Sequence, residues 1–190
     1  MKHPSARALH AYWERLRGTR AAPERAEIEP AKIGRLLGDI FLLELGTSPR
    51  FALRLAGTRF CALMGQEVRS RGLGELFAPE DRPALFGALD GAADDVMPLV
   101  AGITGETGDN RTLELEMIVL PLRHRGKTHA RMLGSILPLD VPYWTGTVPL
   151  ERLHLKTIRM QRADSDVAGD FSAIRRPVST RLRVLQGGLS

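Results

Sequence analysis

The spacing of hydrophobic residues is helical near the start of the chain and alternating further along. Over residues 5–17, large apolar side chains recur at the i, i+4, i+7 positions that share one helical face. Ser5 can cap the start of such a helix, and Gly18 stands where a helix commonly ends. The apolar residues of this predicted helix are Leu9, Tyr12, Trp13 and Leu16. A second, shorter helix is predicted over residues 31–37, after Pro30.

Strand patterns follow. Residues 39–45 are apolar enough for a buried strand, and Phe51, Leu53 and Leu55 alternate as its hairpin partner. Three longer strands are predicted at residues 99–104, 112–123 and 128–139. Between the two groups, one helix is predicted at 58–64 and another that begins at Pro79 or Pro83. These elements predict an α+β fold: a five-stranded antiparallel sheet with helices packed on one face, plus an N-terminal flanking helix.

The pattern also predicts that the chain divides into three parts. Residues 1–37 hold the flanking helices, 38–140 the domain, and 141–190 a C-terminal extension that is mostly flexible and basic. Around residues 150–158 the apolar positions fit a short helix through Leu150, Leu153 and Ile158. A strand through Leu153, Leu155 and Thr157 fits equally well. From about residue 162 the sequence has few large apolar groups, which is typical of disorder.

Composition narrows the class of protein. Of 190 residues, 43% are hydrophobic, which suffices for a core, and the single Cys61 excludes an internal disulfide and a multi-cysteine zinc site. No apolar run is long enough to span a bilayer and no signal peptide is visible, so we expect a cytoplasmic protein. Residues 151–190 carry eight Lys or Arg against four Asp or Glu, hence +4 of the total charge of +5. Since the body is nearly neutral, we expect no specific nucleic-acid binding from the folded domain.

Catalytic signatures are missing from the sequence. It contains no GxSxG, P-loop or GxGxxG motif, so we expect no enzyme, no catalytic residues and no metal ligands, and the sequence names no cofactor. Cys61 lies inside the predicted helix at 58–64, where a buried thiol behaves as a small apolar side chain. Glu114 and Glu116 share one strand face, a spacing that ordinary cross-strand pairing explains.

Several short segments resemble a PAS domain. The segments are MG at 64–65, RGLGEL at 71–76, PEDR at 79–82, and YWxxLRG at 12–18 with IxP at 28–30. The first three are similar to a small helix that ends in glycine, a GRxLxEL loop and a P[ED]DR helix start, although the loop is permuted to Arg-Gly here. The last two resemble a largely uncharacterised, single-domain PAS family of alphaproteobacteria. The resemblance covers about residues 8–140, in the order β-β-α-α-α-β-β-β.

This resemblance implies a stand-alone sensory and interaction module in signal transduction. Such a module would dock to itself as a homodimer or to a signalling protein, gated by a small apolar ligand. PAS domains hold ligands between the sheet and the helices, where this chain places Phe60, Met64, Leu85, Leu89, Met117 and Met132. They often dimerise through a flanking helix, which implies an interface at Leu9, Tyr12, Trp13 and Leu16. Packing of that helix on its own sheet stays open, as do a ligand-free structural adaptor and nucleic-acid or membrane association through the basic tail.

Overall fold

The structure is a computed structural model that describes residues 1–161, apart from the side chains of Thr128 and His129. The described part of the chain contains three α-helices: α1 (Pro4–Arg17), α2 (Thr58–Leu63) and α3 (Arg82–Asp94). Its strands are β1 (Ile40–Glu44), β2 (Ala52–Ala56), β3 (Leu99–Thr107), β4 (Thr112–His124), β5 (Lys127–Pro138) and β6 (Leu150–Met160). Short 3₁₀ turns lie at Arg25–Glu27, Pro30–Leu36, Leu73–Leu76 and Pro79–Asp81.

The six strands form one antiparallel sheet in the order β2-β1-β5-β4-β3-β6. Two turns with left-handed backbone geometry close its long hairpins. Asn110 between β3 and β4 has φ +62°, and Arg125 and Gly126 between β4 and β5 have φ +53° and +80°. The predicted α+β fold with an antiparallel sheet is confirmed, with one strand more than the five that the sequence predicted.

That additional strand, β6, resolves the helix-or-strand alternative at residues 150–158 in favour of the strand. It pairs along β3 from Leu150, opposite Thr107, to Met160, opposite Leu99. Leu150 and Leu153 are buried in the core, so the sheet continues past residue 140 into the part predicted as an extension. The alternating pattern was too weak to reveal this strand because Leu150 and Leu153 are its only buried residues. The flexible segment predicted from residue 162 lies outside the described residues.

Two hydrophobic clusters sandwich the sheet. Helices α2 and α3 cover one face, where Leu85 and Leu89 meet the inward side chains of β3, β4 and β5. Helix α1 covers the other face, where Trp13 packs with Ile118 and Leu120 of β4. Alternation along β4 directs neighbouring residues to opposite clusters, as a strand buried on both sides requires. The flanking position predicted for the N-terminal helix is thereby confirmed.

Local chemistry sets the helix ends. The N-cap of α1 is His3 rather than Ser5, since His3 Nδ1 accepts a hydrogen bond from the Ser5 amide at 3.0 Å. Gly18 ends the helix with φ +55°, as predicted. The predicted helix after Pro30 is the 3₁₀ turn Pro30–Leu36, and the RGLGEL loop also closes into a 3₁₀ turn. Both turns are short, as 3₁₀ segments in connecting parts of a chain usually are.

Candidate functional site

The structure places the six predicted ligand-binding side chains in one core cluster between the sheet and helices α2 and α3. Each has at most 3% of its surface exposed. The three cavities described below are lined by other residues within the described chain. Ligand binding by Phe60, Met64, Leu85, Leu89, Met117 and Met132 therefore stays a prediction.

The predicted interface residues point inward. Leu9, Tyr12 and Trp13 are buried against the chain's own sheet, and Leu16 packs at the edge of the same cluster. The indole Nε1 of Trp13 donates to the carbonyl of Pro121 at 2.7 Å, and the Tyr12 hydroxyl accepts from the Glu29 amide at 2.9 Å. The structure thus has the intramolecular packing that the sequence left open. An interface between copies through these four side chains stays a prediction, and it would require α1 to leave the sheet.

The start of α1 is held by a buried carboxylate. Glu116 of β4 is 5% exposed and accepts hydrogen bonds from the amides of Lys2, at 2.6 Å, and His3, at 2.9 Å. Charge-assisted bonds of this kind are stronger than neutral ones. Sequence reasoning took Glu116 for a cross-strand pairing residue and missed this role. An acid within an apolar strand was a visible signal, but its partners are 113 and 114 residues away.

A groove of about 680 Å³ lies between the outward face of α1 and the Pro30–Leu36 turn. We call it the docking groove. Its α1 wall carries the exposed small residues Ala8 and Ala11, and three basic residues stand around it. Lys32 is paired with Glu29 at 2.7 Å, whereas Arg15 and Arg35 form no ion pair within the described residues. The Arg15 guanidinium lies 5.4 Å from the centre of the Tyr12 ring.

A second cavity, of about 320 Å³, lies at the end of the sheet where β5 stops. We call it the end cavity. Its walls are mainly apolar and come from α2, from the last residues of β5 and from the loop that follows. The apolar lining residues are Ala62, Leu63, Ile136, Leu137, Pro138 and Val141. Polar groups reach it from His3, from Thr145 and from the ion pair of Arg59 with Asp39.

The Arg59–Asp39 pair is bidentate. Arg59 Nε donates to Asp39 Oδ1 at 2.7 Å and Nη2 donates to Oδ2 at 2.6 Å. These hydrogen bonds raise the pKa of Arg59 above its usual value, so the guanidinium stays charged. Two glycines allow this geometry. A Cβ on Gly38 would come within 2.8 Å of the guanidinium carbon of Arg59, and a Cβ on Gly57 within 2.3 Å of a backbone carbonyl.

Two hydrogen bonds connect the end cavity to the docking groove. His3 lines the end cavity, and its Nδ1 accepts from the amide of Ser5, which lines the groove. Arg59 lines the end cavity, and its Nη2 donates at 2.6 Å to the carbonyl of Arg35, which lines the groove. The two sites therefore share the start of α1 and the end of the Pro30–Leu36 turn.

A smaller cavity of about 170 Å³ lies on the α1 side of the sheet, beside Lys2 and Glu116. Charged side chains of both signs line it, including Glu114, Lys156 and Arg159. Since Glu116 is already engaged by two backbone amides, this cavity belongs to the anchoring of the N-terminal segment.

Other reactive side chains have structural partners. Burial raises the pKa of the Cys61 thiol, which favours the protonated form over the nucleophilic thiolate. His154 of β6 lies 3.2 Å from Glu106 Oε2 and 3.8 Å from Asp81 Oδ2, which connects β6 to β3 and to the start of α3. The described residues contain no group of three or more His, Cys, Asp or Glu side chains placed to hold a metal ion. Within the same residues, no helix is long and apolar enough to cross a membrane.

Comparison with known proteins points to one family. A family model described as PAS domain matches residues 1–137. Among curated proteins, none matches this chain.

Solved structures with low sequence identity are similar to part of the chain. The light-state structure of the LOV domain of the blue-light photoreceptor Aureochrome1 has 14% identity and a TM-score of 0.45, with 64% of this chain and 94% of that chain covered. A LOV protein from Rhodobacter sphaeroides has 11% identity and a TM-score of 0.46, covering 61% and 71%. The PAS domain of a protein from Colwellia psychrerythraea has 12% identity and a TM-score of 0.47, covering 57% and 94%.

Proposed function

The chain belongs to the PAS domain family, and on that premise we propose that it regulates by docking to a signalling protein through the docking groove. PAS domains are in general sensory and signalling modules rather than enzymes. The observation that carries the proposal is the groove itself, an exposed concave surface on the flanking helix with an excess of basic side chains.

Helix α1 suits this role because its two faces differ. Its apolar face is buried in the chain's own core, which leaves the outward face with Ala8 and Ala11 for a partner. Small side chains let a second helix approach closely, and Leu37, which is 37% exposed beside the groove, adds apolar surface. We infer that the partner presents a helix.

The charge of the docking groove indicates which kind of helix it would bind. Arg15 and Arg35 have no acidic partner among the described residues, so an acidic helix would complement them. Two copies of this chain that met groove to groove would place these arginines against each other. Such a homodimer is therefore disfavoured at this surface, and the proposed occupant is an acidic amphipathic helix of another protein.

Site-specific photo-crosslinking tests this proposal. We expect benzoylphenylalanine at position 11 to crosslink to an acidic partner in cells of the source organism, and the crosslink to be lost in the double variant Arg15→Glu, Arg35→Glu. The same amino acid at the exposed Glu80, on the other side of the sheet, is the matched control. An adduct with twice the mass of the chain would instead assign the groove to a homodimer, and equal crosslinking at both positions would contradict a specific groove.

A ligand-free adaptor is the second candidate, and one observation favours it. The six side chains predicted to bind a ligand pack against one another in the core with almost no exposure. A domain with such a core can act by contact alone. This candidate differs from the ligand-gated module that the resemblance implied in whether a small molecule binds anywhere on the protein, and the end cavity is the place to test that difference.

A further inference from the structure

We propose that the end cavity, rather than the core, is the ligand site of this protein. It takes a small neutral molecule with an apolar body and one hydrogen-bonding group such as a hydroxyl or carbonyl. Its occupancy is transmitted to the docking groove. The binding site stands on its own geometry, and only the transmission rests on the proposed docking function.

Size and lining define the class of ligand. A volume of about 320 Å³ lies at the lower end of the range of roughly 300–1,000 Å³ typical of small-molecule sites, so a compact ligand is favoured. Most of the wall consists of aliphatic side chains from α2 and β5, among them Leu63, Ile136 and Leu137. Burial of an apolar body against these side chains would supply most of the affinity.

Thr145 supplies the polar contact. Its Oγ1 atom is buried and has no hydrogen-bond partner among the described residues. A buried hydroxyl without a partner destabilises the protein, because the hydrogen bonds that it made with water are not replaced. Thr145 lines the end cavity, so rotation of its side chain would turn this hydroxyl toward a ligand hydroxyl or carbonyl there, which explains the requirement for one hydrogen-bonding group.

The ion pair at the cavity sets the charge of the ligand. Asp39 and Arg59 neutralise each other through two hydrogen bonds, so together they present no net charge to the cavity. An anionic ligand would compete with Asp39 for the Arg59 guanidinium, and a cationic ligand would compete with Arg59 for the Asp39 carboxylate. A neutral ligand avoids both costs.

The loop between β5 and β6 gives the cavity an apolar mouth. Val141 lines the cavity with 74% of its surface exposed, and Tyr143 nearby is 91% exposed. The loop is nevertheless anchored, because Trp144 is buried and its carbonyl accepts from the amides of Thr147 and Val148 at 2.9 Å each. Exposed apolar side chains on an anchored loop can cover a bound ligand at little entropic cost.

Occupancy reaches the groove through the two bridging hydrogen bonds. His3 caps α1 through its hydrogen bond with Ser5, so a ligand that contacts His3 acts on the start of this helix. A ligand against Arg59 presses on the residue that holds the carbonyl of Arg35. Both contacts reach the walls of the docking groove. A ligand that binds the end cavity more tightly in one geometry of the groove therefore raises the population of that geometry.

Binding of 2-naphthol tests the site, with naphthalene as the matched probe that lacks the hydroxyl. We expect saturable binding to the full chain, followed by naphthol fluorescence and by NMR shifts at Ala62 and Thr145 that extend to Ser5 and Arg35. Ala62→Phe should weaken both probes by at least about tenfold, because the new ring occupies the cavity from an exposed helical position. Ala84→Phe, at an exposed position of α3, is the control and should leave binding unchanged.

Thr145→Val tests the polar contact separately. The isosteric methyl removes the buried hydroxyl without a change of volume, so the free protein should be at least as stable as wild type. We expect about fivefold weaker binding of 2-naphthol and unchanged binding of naphthalene, since one hydrogen bond is lost. Equal weakening of both probes would contradict the assigned role of Thr145.

Other outcomes overturn the site itself. Absence of saturable binding to wild type would overturn it, and so would binding that Ala62→Phe leaves intact. Shifts centred on Met117 and Met132 would return the ligand to the core. The crosslink at position 11 is measured without a probe. Its absence in the chain with Arg15 and Arg35 intact would overturn the docking function and leave the end cavity standing, whereas absence of probe binding would overturn the end cavity and leave the docking function standing.

Discussion

At the scale of single residues, Trp13 connects the flanking helix to the sheet. Its side chain is fully buried and its Nε1 donates to the Pro121 carbonyl at 2.7 Å. We expect Trp13→Phe to lower the free energy of unfolding by about 2 kcal/mol, because the carbonyl loses its partner and a small cavity remains. Urea denaturation measures the change.

The second tryptophan provides the control. Trp144 is buried, and its Nε1 donates no hydrogen bond to any of the residues that the structure describes. Trp144→Phe should therefore cost clearly less, about 1 kcal/mol. Equal losses of unfolding free energy in the two variants would mean that the Trp13 hydrogen bond adds no stability beyond that of side-chain packing. Because Trp13 belongs to the core, Trp13→Ala would destabilise the fold itself and cannot serve as a simple test of dimerisation.

The sequence predicted which side chains are buried better than it predicted what they do. Leu9, Trp13 and Leu85 carry the helical spacing that a core face requires, and each lies in the core. The polar groups that shape the candidate sites were missed. Glu116 and Thr145 act through partners, or a lack of partners, that only the folded chain defines. Spacing along the sequence holds no information on such long-range contacts.

At the scale of elements, the PEDR segment does more than begin a helix. Glu80 and Asp81 lie directly before Arg82, at the positive end of the α3 dipole. In the structure, Asp81 Oδ2 also accepts from the Leu155 amide of β6 at 2.9 Å, and the Ala78 amide donates to the Leu153 carbonyl at 2.9 Å. The free edge of β6 is thus partly covered by the segment before α3, which limits pairing with other chains.

We expect Asp81→Ala to destabilise this edge while the neighbouring Glu80→Ala does not. Loss of the acceptor for Leu155 should cost about 1–2 kcal/mol, because a charge-assisted hydrogen bond is removed. Hydrogen exchange at the Leu155 amide should accelerate by about tenfold. Glu80 is exposed, so its replacement should change stability by less than about 0.5 kcal/mol.

Either of two results would contradict this account of the edge. One is unchanged exchange at Leu155 in the Asp81→Ala variant. The other is an equal effect of Glu80→Ala, which would assign the loss to the helix dipole instead of to the contact with β6.

The order of elements was largely visible in the sequence because each has a local signal. Strands β1 to β5 lie within a few residues of their predicted bounds, and Gly18 and Asn110 mark the ends that their backbone geometry requires. Strand β6 was ambiguous because its later apolar residues, Leu155, Ile158 and Met160, are only partly buried and stand among exposed basic ones. The tertiary contacts of β6 decide between helix and strand. Leu153 is buried only because β3 and the Phe77–Ala78 segment surround it.

At the scale of the whole molecule, one pair of truncated chains locates the C-terminal boundary of the folded unit. The sequence predicts that the domain ends at residue 140, whereas strand β6 pairs with β3 up to Met160 and the Gln161 amide donates to the Pro98 carbonyl at 2.8 Å. A chain that ends at Gln161 retains all of these contacts. A chain that ends at Pro149 loses a strand of the sheet together with the buried Leu150 and Leu153.

We therefore expect the chain of residues 1–161 to melt within about 2 °C of the full chain. The chain of residues 1–149 should melt at least about 10 °C lower or fail to fold. Loss of two buried leucines lowers the free energy of unfolding by about 2–5 kcal/mol each. In a domain of this size, each loss of about 1 kcal/mol lowers the melting temperature by about 2–4 °C. Thermal unfolding followed by circular dichroism measures both. Equal melting of the two truncated chains would restore the boundary at residue 140. It would make β6 an appendage whose basic edge is free for a partner.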